Sequence, residues 1–99
     1  MTPIVKLLRA DEWAAFQADG VFAGSPDDRR DGYLHISAPD QLAGTAAKWF
    51  GDAPGLMAVT LDADALGDDL RWEAARGGVL FPHLYRSLRL DDVVSAVPY

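Results

Sequence analysis

Residues 31–41 read DGYLHISAPDQ, and this stretch joins a strand to the start of a helix. The segment from Gly32 to Ser37 contains the aromatic and branched residues that favour strands. Proline is favoured in the first turn of a helix, so Pro39 predicts that a helix begins directly after the strand. The stretch therefore predicts a chain that leaves a sheet and packs back on it as a helix, with one ionisable ring, His35, on the strand.

The remaining elements follow from hydrophobic periodicity and from turn residues. Further strands are predicted at residues 4–8, 56–61, 70–74, 79–85, 88–90 and 93–97, and helices at residues 12–19, 39–50 and, as a single turn, 62–66. The strand at 56–61 is almost continuously apolar, which predicts a central strand buried on both faces. The polar segment 23–32, with its proline and glycines, predicts an exposed loop. Pro82 predicts that its strand lies at a sheet edge or contains a bulge, because proline cannot donate a backbone hydrogen bond.

The order of these elements indicates the fold class. Helices come early and strands dominate late, which is typical of an α+β protein and not of a regular βαβ alternation. A chain of 99 residues suits one domain. We therefore predict a single compact α+β domain over residues 1–99, with a mostly antiparallel, split or strongly bent sheet and two main helices.

Composition narrows the classes of function. The chain has a formal net charge of −6 and no cysteine, and its basic residues are scattered. Non-specific nucleic-acid binding needs a clustered positive field, so no nucleic acid is expected as a partner. Without cysteine, disulfides and thiolate chemistry are excluded. No apolar run reaches the length of a signal peptide or a membrane span, which predicts a cytoplasmic protein with no membrane partner.

Strand alternation gathers polar and aromatic side chains on one face of two strands. At every second position the residues are aromatic, hydroxyl-bearing or imidazole: Tyr33, His35 and Ser37 on one strand, and Phe81, His83 and Tyr85 on the other. The residues between them are apolar and are predicted to face the core. Apolar surface around a few aimed polar groups is typical of a ligand cleft. We therefore expect the two histidines to face one cleft, to which Glu73 adds a carboxylate.

Other chemistries have weaker support. Two histidines and one glutamate could form a two-histidine, one-carboxylate metal site, but neither an HxxxH nor an HxH spacing is present, so no metal site is predicted. Ser37 lies two residues from His35, but no nucleophile elbow surrounds it, which disfavours a serine hydrolase. A glycine-rich phosphate loop is also missing from the sequence.

Three motifs point to a known family. The stretch DGYLHIS with its following helix, the pair Trp72-Glu73, and FPHLY at residues 81–85 resemble the bacterial domain of unknown function 952 family, and the resemblance covers nearly the whole chain. Lys6 stands where many relatives have a histidine, so the positive charge is kept but the imidazole is lost. Arg86 stands where a glycine usually follows the tyrosine, which weakens the expectation of a tight turn there.

This resemblance implies a fold distantly similar to the ADP-ribosyltransferase-like proteins, and the strand at 33–37 is similar to one in NAD-dependent RNA 2′-phosphotransferases. In that superfamily a strand histidine holds the NAD ribose, an aromatic ring stacks on nicotinamide, and a late acidic or polar residue assists the transfer. The resemblance implies NAD as a candidate cofactor, with nucleotide-binding roles for Lys6, Tyr33, His35, Ser37 and Tyr85 and catalytic roles for Glu73 and His83. The acidic net charge fits an RNA substrate poorly, so a small-molecule or protein substrate is preferred.

A non-catalytic ligand-binding or protein-interaction module is the alternative. Its histidines would be structural, buried separately and satisfied by backbone carbonyls, or would contact a ligand without converting it. An enzyme site predicts that His35, His83 and Glu73 converge within about 10 Å in an open pocket. Histidines on opposite sides of the sheet would exclude a single site.

Overall fold

Two three-stranded antiparallel sheets carry the fold. The computed structural model describes residues 1–99, apart from the side chain of Arg76. The strands are β1 (Pro3–Leu8), β2 (Val21–Phe22), β3 (Leu34–His35), β4 (Met57–Asp62), β5 (Leu70–Ala74), β6 (Leu80–Leu84), β7 (Leu88–Arg89) and β8 (Val93–Pro98). The helices are α1 (Ala10–Asp19), α2 (Pro26–Asp31), α3 (Leu42–Trp49) and α4 (Ala63–Leu66).

The sheets have the strand orders β1-β4-β8 and β3-β6-β5, and the short strands β2 and β7 pair with each other. These pairings are antiparallel. The two larger sheets meet where Val5 N donates to Ser37 O at 2.8 Å and Ser37 N donates to Val5 O at 2.9 Å. The prediction of a single α+β domain with a split, mostly antiparallel sheet is confirmed by this architecture.

Side chains from both sheets and from α1 share one core. Ile4, Phe16, Val59 and Leu84 are fully buried in it, and burying a side chain of this size contributes about 1.5–3 kcal/mol. A second apolar cluster, which includes Ala58, lies on the other face of β4 beneath α3. β4 is thus a central strand covered on both faces, as its continuous apolar sequence predicts.

The position of Pro82 differs from the prediction. β6 is the middle strand of its sheet, so the prediction of an edge strand is wrong. The carbonyl oxygen of Pro82 accepts a hydrogen bond from Ile36 N at 3.1 Å. The N–H and C=O of one strand residue point to the same neighbour, and the β3–β6 ladder ends at His83. The missing N–H of Pro82 therefore faces Ile36, the first residue beyond β3, so no hydrogen bond inside the β3–β6 ladder is lost and a central strand tolerates the proline.

Residues 26–31 of the segment 23–32 form α2, so the prediction of a loop is wrong, although most of the segment is exposed as predicted. Ser25 and Asp28 make a reciprocal capping box, in which Asp28 N donates to Ser25 Oγ at 3.3 Å and Ser25 N donates to Asp28 Oδ2 at 2.9 Å. Pro26 lies in the first turn, and Gly32 ends the helix with a φ of 86°. The sequence does contain a helix-start signal of serine, proline and aspartate, but the many charges of the segment favoured the interpretation as a loop. The helix matters for the site because it carries Asp28 into the interior.

The stretch that follows α2 contains more breaks than predicted. β3 ends before Ser37, which pairs with Val5 of the other sheet. The helix predicted from Pro39 begins as a 3-10 turn and continues as α3. In that turn the side chain of Gln41 accepts from Ala38 N at 2.9 Å and donates to Leu80 O at 2.8 Å, which ties the helix start to β6. Within the described chain, none of the helices has the length and apolarity that crossing a membrane requires.

Candidate functional site

The register between β3 and β6 brings the two histidines together. His35 lies directly opposite His83 in this antiparallel pair, and opposite residues project from the same face of a sheet. Their ring centroids are 5.7 Å apart. The ring of Tyr33 stacks on His83, with centroids 4.0 Å apart and planes inclined by 28°. We refer to Tyr33, His35 and His83 as the histidine cluster.

His35 is held by a buried carboxylate. Oδ1 of Asp28 lies 2.6 Å from Nδ1 of His35 and also accepts from the backbone N of His35 at 3.0 Å. Burial opposes the ionisation of Asp28, but hydrogen bonds from His35 and the charge of Lys6 outweigh burial and lower the pKa of Asp28 well below its ordinary value. Asp28 is therefore a carboxylate that fixes the orientation of the His35 ring.

Lys6 neutralises that carboxylate. Its Nζ lies 3.1 Å from Oδ2 of Asp28 and donates to the backbone oxygen of His35 at 2.8 Å. Burial lowers the pKa of Lys6, and the charge of Asp28 opposes this effect. An ammonium group has three donors, and Lys6 uses two of them inside the protein. Its role in the structure is that of a counterion for Asp28.

His83 has a carboxylate of its own on the neighbouring strand. Oε1 of Glu73 lies 2.9 Å from Nδ1 of His83, and the Tyr85 hydroxyl donates to the same oxygen at 2.6 Å. The hydrogen bonds from Tyr85 and His83 lower the pKa of Glu73, and the bond to Glu73 raises the pKa of Tyr85. A neutral His83 ring with its proton on Nδ1 presents Nε2 as an acceptor. Among the described side chains, none hydrogen-bonds that Nε2 atom.

The outer ring nitrogen of His35, Nε2, lies beside a second carboxylate. Nε2 of His35 lies 2.9 Å from Oδ2 of Asp31, the last residue of α2, while Nδ1 faces Asp28. Ionised carboxylates only accept hydrogen bonds, so a ring nitrogen that bonds to one of them must be the donor. In this arrangement His35 presents a donor and His83 presents an acceptor.

A cleft of about 830 Å³ lies beside the histidine cluster, within the usual size range of small-molecule sites. Among the predicted site residues, those that line it are Lys6, Tyr33, His35, Ser37 and His83. Glu73 and Tyr85 do not belong to the described lining of this cleft. Tyr85 borders a smaller depression of about 320 Å³, and Glu73 contacts His83, which lines the larger cleft.

The hydroxyl of Ser37 is directed to a helix. Ser37 is buried, and its Oγ lies 2.8 Å from Oγ1 of Thr45 on α3. Oγ1 of Thr45 in turn donates to Gln41 O at 3.2 Å. This chain of hydrogen bonds joins the contact between the sheets to α3. It also engages the hydroxyl of Ser37, as expected if Ser37 is not a nucleophile.

Part of the cleft lining combines cations with aromatic rings. The guanidinium of Arg9 lies 4.9 Å from the centroid of Phe50, and Nζ of Lys48 lies 5.2 Å from the centroid of Trp49. Trp49 is 55% exposed. A cation over an aromatic face offers positive charge beside a flat apolar surface. This lining suits a planar group of a ligand.

Asp28, Asp31 and Gly24 are site residues that the sequence interpretation missed. The capping signature around Ser25 could have placed Asp28 in a helix start, but its burial depends on contacts with β1 and β3 that only the tertiary fold makes. Gly24 has a φ of 115°, and a Cβ at this position would lie 2.8 Å from the Cβ of Asp28. Glycine is needed here because both the backbone conformation and the space exclude a side chain.

The arrangement of the two histidines suits acid–base chemistry. A proton donor and a proton acceptor with ring centroids 5.7 Å apart can act on two sides of one ligand bond. Each ring is oriented by a carboxylate at its Nδ1 atom. Within the described residues, no group of three or more histidine, aspartate or glutamate side chains is arranged to hold a metal ion.

Comparison with known proteins places the chain in a family. The family model described as "Protein of unknown function (DUF952)" matches residues 7–96. The crystal structure of protein CC0527 from Caulobacter crescentus is 46% identical, with a TM-score of 0.94, and the match covers 98% of this chain and 85% of that one. The solution NMR structure of the same protein is 46% identical, with a TM-score of 0.86, and the match covers 99% of this chain and 84% of that one. No curated protein matches the chain. The family resemblance of the sequence motifs is thus confirmed, and the chain belongs to the DUF952 family of proteins of unknown function.

Proposed function

We propose that the cleft beside the histidine cluster binds a nucleotide or a similar small molecule, and that His35 and His83 both contact that ligand. The observation that carries this proposal is the pair itself, because each ring lines the cleft and is held at Nδ1 by a carboxylate. A structural histidine needs only one partner for its N–H, and a backbone carbonyl can supply it. Paired imidazole–carboxylate units beside a cleft are typical of sites that move protons.

Transfer of ADP-ribose from NAD is the reaction that we propose for this site, with NAD as a substrate. The support is the similarity of the 33–37 strand to ADP-ribosyltransferase-like proteins, which is an argument by analogy of fold. In this reaction the bond between ribose C1′ and the nicotinamide nitrogen breaks, and neutral nicotinamide leaves with the bonding electrons. The acceptor forms the new bond to C1′ and loses its proton to a base.

The geometry suggests a role for each residue in such a transfer. His83, with Nε2 as acceptor, is the candidate base, and Glu73 stabilises the imidazolium that forms. His35 donates from Nε2 to an oxygen of the ligand. The ring of Tyr33 offers a surface for stacking. The catalytic role implied for Glu73 would be exerted through His83, because the carboxylate contacts His83 and Tyr85.

A non-catalytic binding module is the second candidate, and one observation favours it. Lys6, Asp28 and His35 already satisfy one another through short contacts. Ser37 is likewise bonded to Thr45. A network that is complete without a ligand is typical of a structural role, and the ligand would then be held without conversion.

Calorimetry and thermal-shift measurements with NAD and other nucleotides test the proposal. We expect wild type to bind, and we expect Tyr33→Leu and His83→Ala to weaken binding by about tenfold or more. Tyr99→Leu is the matched control, because Tyr99 is exposed and lies outside the described lining of the cleft. It should bind like wild type.

Release of nicotinamide, followed by chromatography, separates the two candidates. Release by wild type that His83→Ala abolishes supports the transfer reaction. Binding without release supports the module. If no nucleotide binds at millimolar concentration, the nucleotide proposal is wrong in both forms.

A further inference from the structure

Asp31 makes an unusual set of contacts at the edge of the cleft. Its Oδ2 lies 2.9 Å from Nε2 of His35, and its two oxygens accept from Nε and Nη2 of Arg30 at 3.1 and 3.4 Å. The Arg30 contacts engage both carboxylate oxygens, and His35 adds a third donor. A guanidinium fork beside one further ring nitrogen is an arrangement with which proteins hold a phosphate or carboxylate group.

The contacts around His35 show what Asp31 does at this position. Lys6 and Asp28 form a buried ion pair and neutralise each other. Asp31 is the carboxylate beside the outer ring nitrogen of His35, and it also pairs with the guanidinium of Arg30. If Asp31 moved away, that ring nitrogen and the guanidinium would both lose this carboxylate at the wall of the cleft, and an oxyanion of a ligand could take its place.

The side chain of Asp31 is also able to move away from His35. Its side chain is partly exposed, and ion pairs that water can reach contribute little to stability. It is the last residue of α2, and the next residue is Gly32, around which a Cβ would meet no atom within 4 Å. Because the Asp31 side chain is partly exposed, its carboxylate can turn from His35 toward water.

We infer that the outer nitrogen of His35, together with Arg30, is an oxyanion-binding position that Asp31 occupies in the free protein. The ligand group that replaces the carboxylate is a phosphate. This inference rests on the proposed nucleotide site and deepens it, because it names the part of the ligand that His35 contacts. Asp31 then acts as an internal competitor, which a phosphate-bearing ligand must displace.

Titration with inorganic phosphate tests the inference, at constant pH and ionic strength, with the ring signals of His35 followed by NMR. We expect Asp31→Ala to bind phosphate about tenfold more tightly than wild type, because the competitor is gone while His35 and Arg30 remain. Acetate, titrated in the same way, is expected to bind more weakly than phosphate. Acetate binding at least as tight as phosphate would overturn the assignment to a phosphate group.

Asp27→Ala is the matched control. Asp27 lies on the same helix, lines the same cleft and pairs with Arg30 at 3.2 Å, but makes no described contact with His35. Its replacement removes the same charge and is expected to leave phosphate affinity within about twofold of wild type. An equal gain in both variants would mean a general charge effect and would overturn the inference. The inference would also be overturned if Asp31→Ala bound phosphate no more tightly than wild type. The same holds if phosphate shifted NMR signals far from His35 and left those of His35 unchanged.

The double variant Asp31→Ala with His35→Gln separates this inference from the proposed function. We expect it to lose the phosphate affinity gained by Asp31→Ala alone. A nucleotide that binds wild type but gains nothing from Asp31→Ala overturns the oxyanion position and leaves the nucleotide site standing. Phosphate binding at His35 in Asp31→Ala, without binding of any nucleotide, supports the oxyanion position and contradicts the proposed function.

Discussion

The ammonium of Lys6 lies 3.1 Å from the carboxylate of Asp28, and both side chains are almost completely buried. A buried ion pair adds little net stability, because both groups lose their hydration when they leave water. Removing one partner is different, since the other remains buried without a counterion. The pair therefore restricts strongly which residues can occupy these two positions.

We predict that Asp28→Asn destabilises the protein by about 3–5 kcal/mol, because the ammonium of Lys6 loses its counterion. This is a large part of the stability of about 5–15 kcal/mol that is usual for a domain. Urea unfolding followed by circular dichroism measures the change. Asp27→Asn, on the exposed side of α2, is expected to stay within about 0.5 kcal/mol of wild type. The double variant Lys6→Met with Asp28→Asn should be more stable than Asp28→Asn alone, and additive losses would contradict the pairing.

The lowered pKa of Asp28 predicts how stability depends on pH. A carboxyl group whose pKa is lower in the folded state than in the unfolded state stabilises the fold fully above its unfolded value, about 3.9 for aspartate. That contribution is lost as the pH falls through the folded value. The stability difference between wild type and Asp28→Asn should therefore be constant near neutral pH and become smaller below about pH 4. Urea midpoints measured from pH 7 down to pH 3 test this, and a gap that widens in acid would be inconsistent with it.

Gly24→Ala is predicted to destabilise the protein although it adds only one methyl group. Alanine at a φ of 115° costs about 1–3 kcal/mol. The new Cβ would also lie 2.8 Å from the Cβ of Asp28 and 2.9 Å from Cδ2 of Leu34, so the loss should exceed the backbone term. Gly44→Ala is the control, since Gly44 lies inside α3 with open space around it and should gain about 0.5–1 kcal/mol. Thermal unfolding of the two variants tests both predictions, the loss of stability in Gly24→Ala and the gain in Gly44→Ala.

Arg86→Lys is predicted to destabilise the turn after β6 by about 1–2 kcal/mol, because a guanidinium makes a two-point contact that an ammonium cannot reproduce. Arg86 donates from Nη1 and Nη2 to the two oxygens of Asp92 at 2.8 and 3.0 Å. This bond also lowers the pKa of Asp92. Arg29→Lys, at an exposed position of α2, should change stability by less than about 0.5 kcal/mol. Equal effects of the two substitutions in urea unfolding would contradict a specific role of Arg86.

Sequence periodicity was sufficient for most of the architecture. The apolar run at 56–61 predicted the central strand β4, and the alternation around His35 predicted an apolar face that is buried at Leu34 and Ile36. These predictions succeeded because they depend on local period and on one neighbouring layer. Pro82 was misplaced, because its tolerance depends on the length of β3, a property of another segment.

The site was harder to predict, for a similar reason. Alternation indicated which side chains share a face with His35 and His83, and the fold brings these residues and Glu73 close together. Asp28 was wrongly assigned to an exposed loop, because charged residues are rarely buried unless they are paired and its partner Lys6 lies on a distant strand. Whether a charge is paired is decided by tertiary contacts, which a local pattern does not contain.

One carboxylate, that of Asp28, completes the capping box of α2, balances the ammonium of Lys6 and orients His35. If α2 opened, all three contacts would be lost together. The helix would lose its N-terminal cap, Lys6 would lose its counterion, and the ring of His35 would be free to rotate. Intermediate states that lack only one of these three contacts are costly, so the helix and the cleft wall should open and close as a single cooperative unit. Amide hydrogen exchange in α2 and in β3 would then report one common opening, and a ligand that binds at His35 would slow exchange in a helix whose amides it never touches.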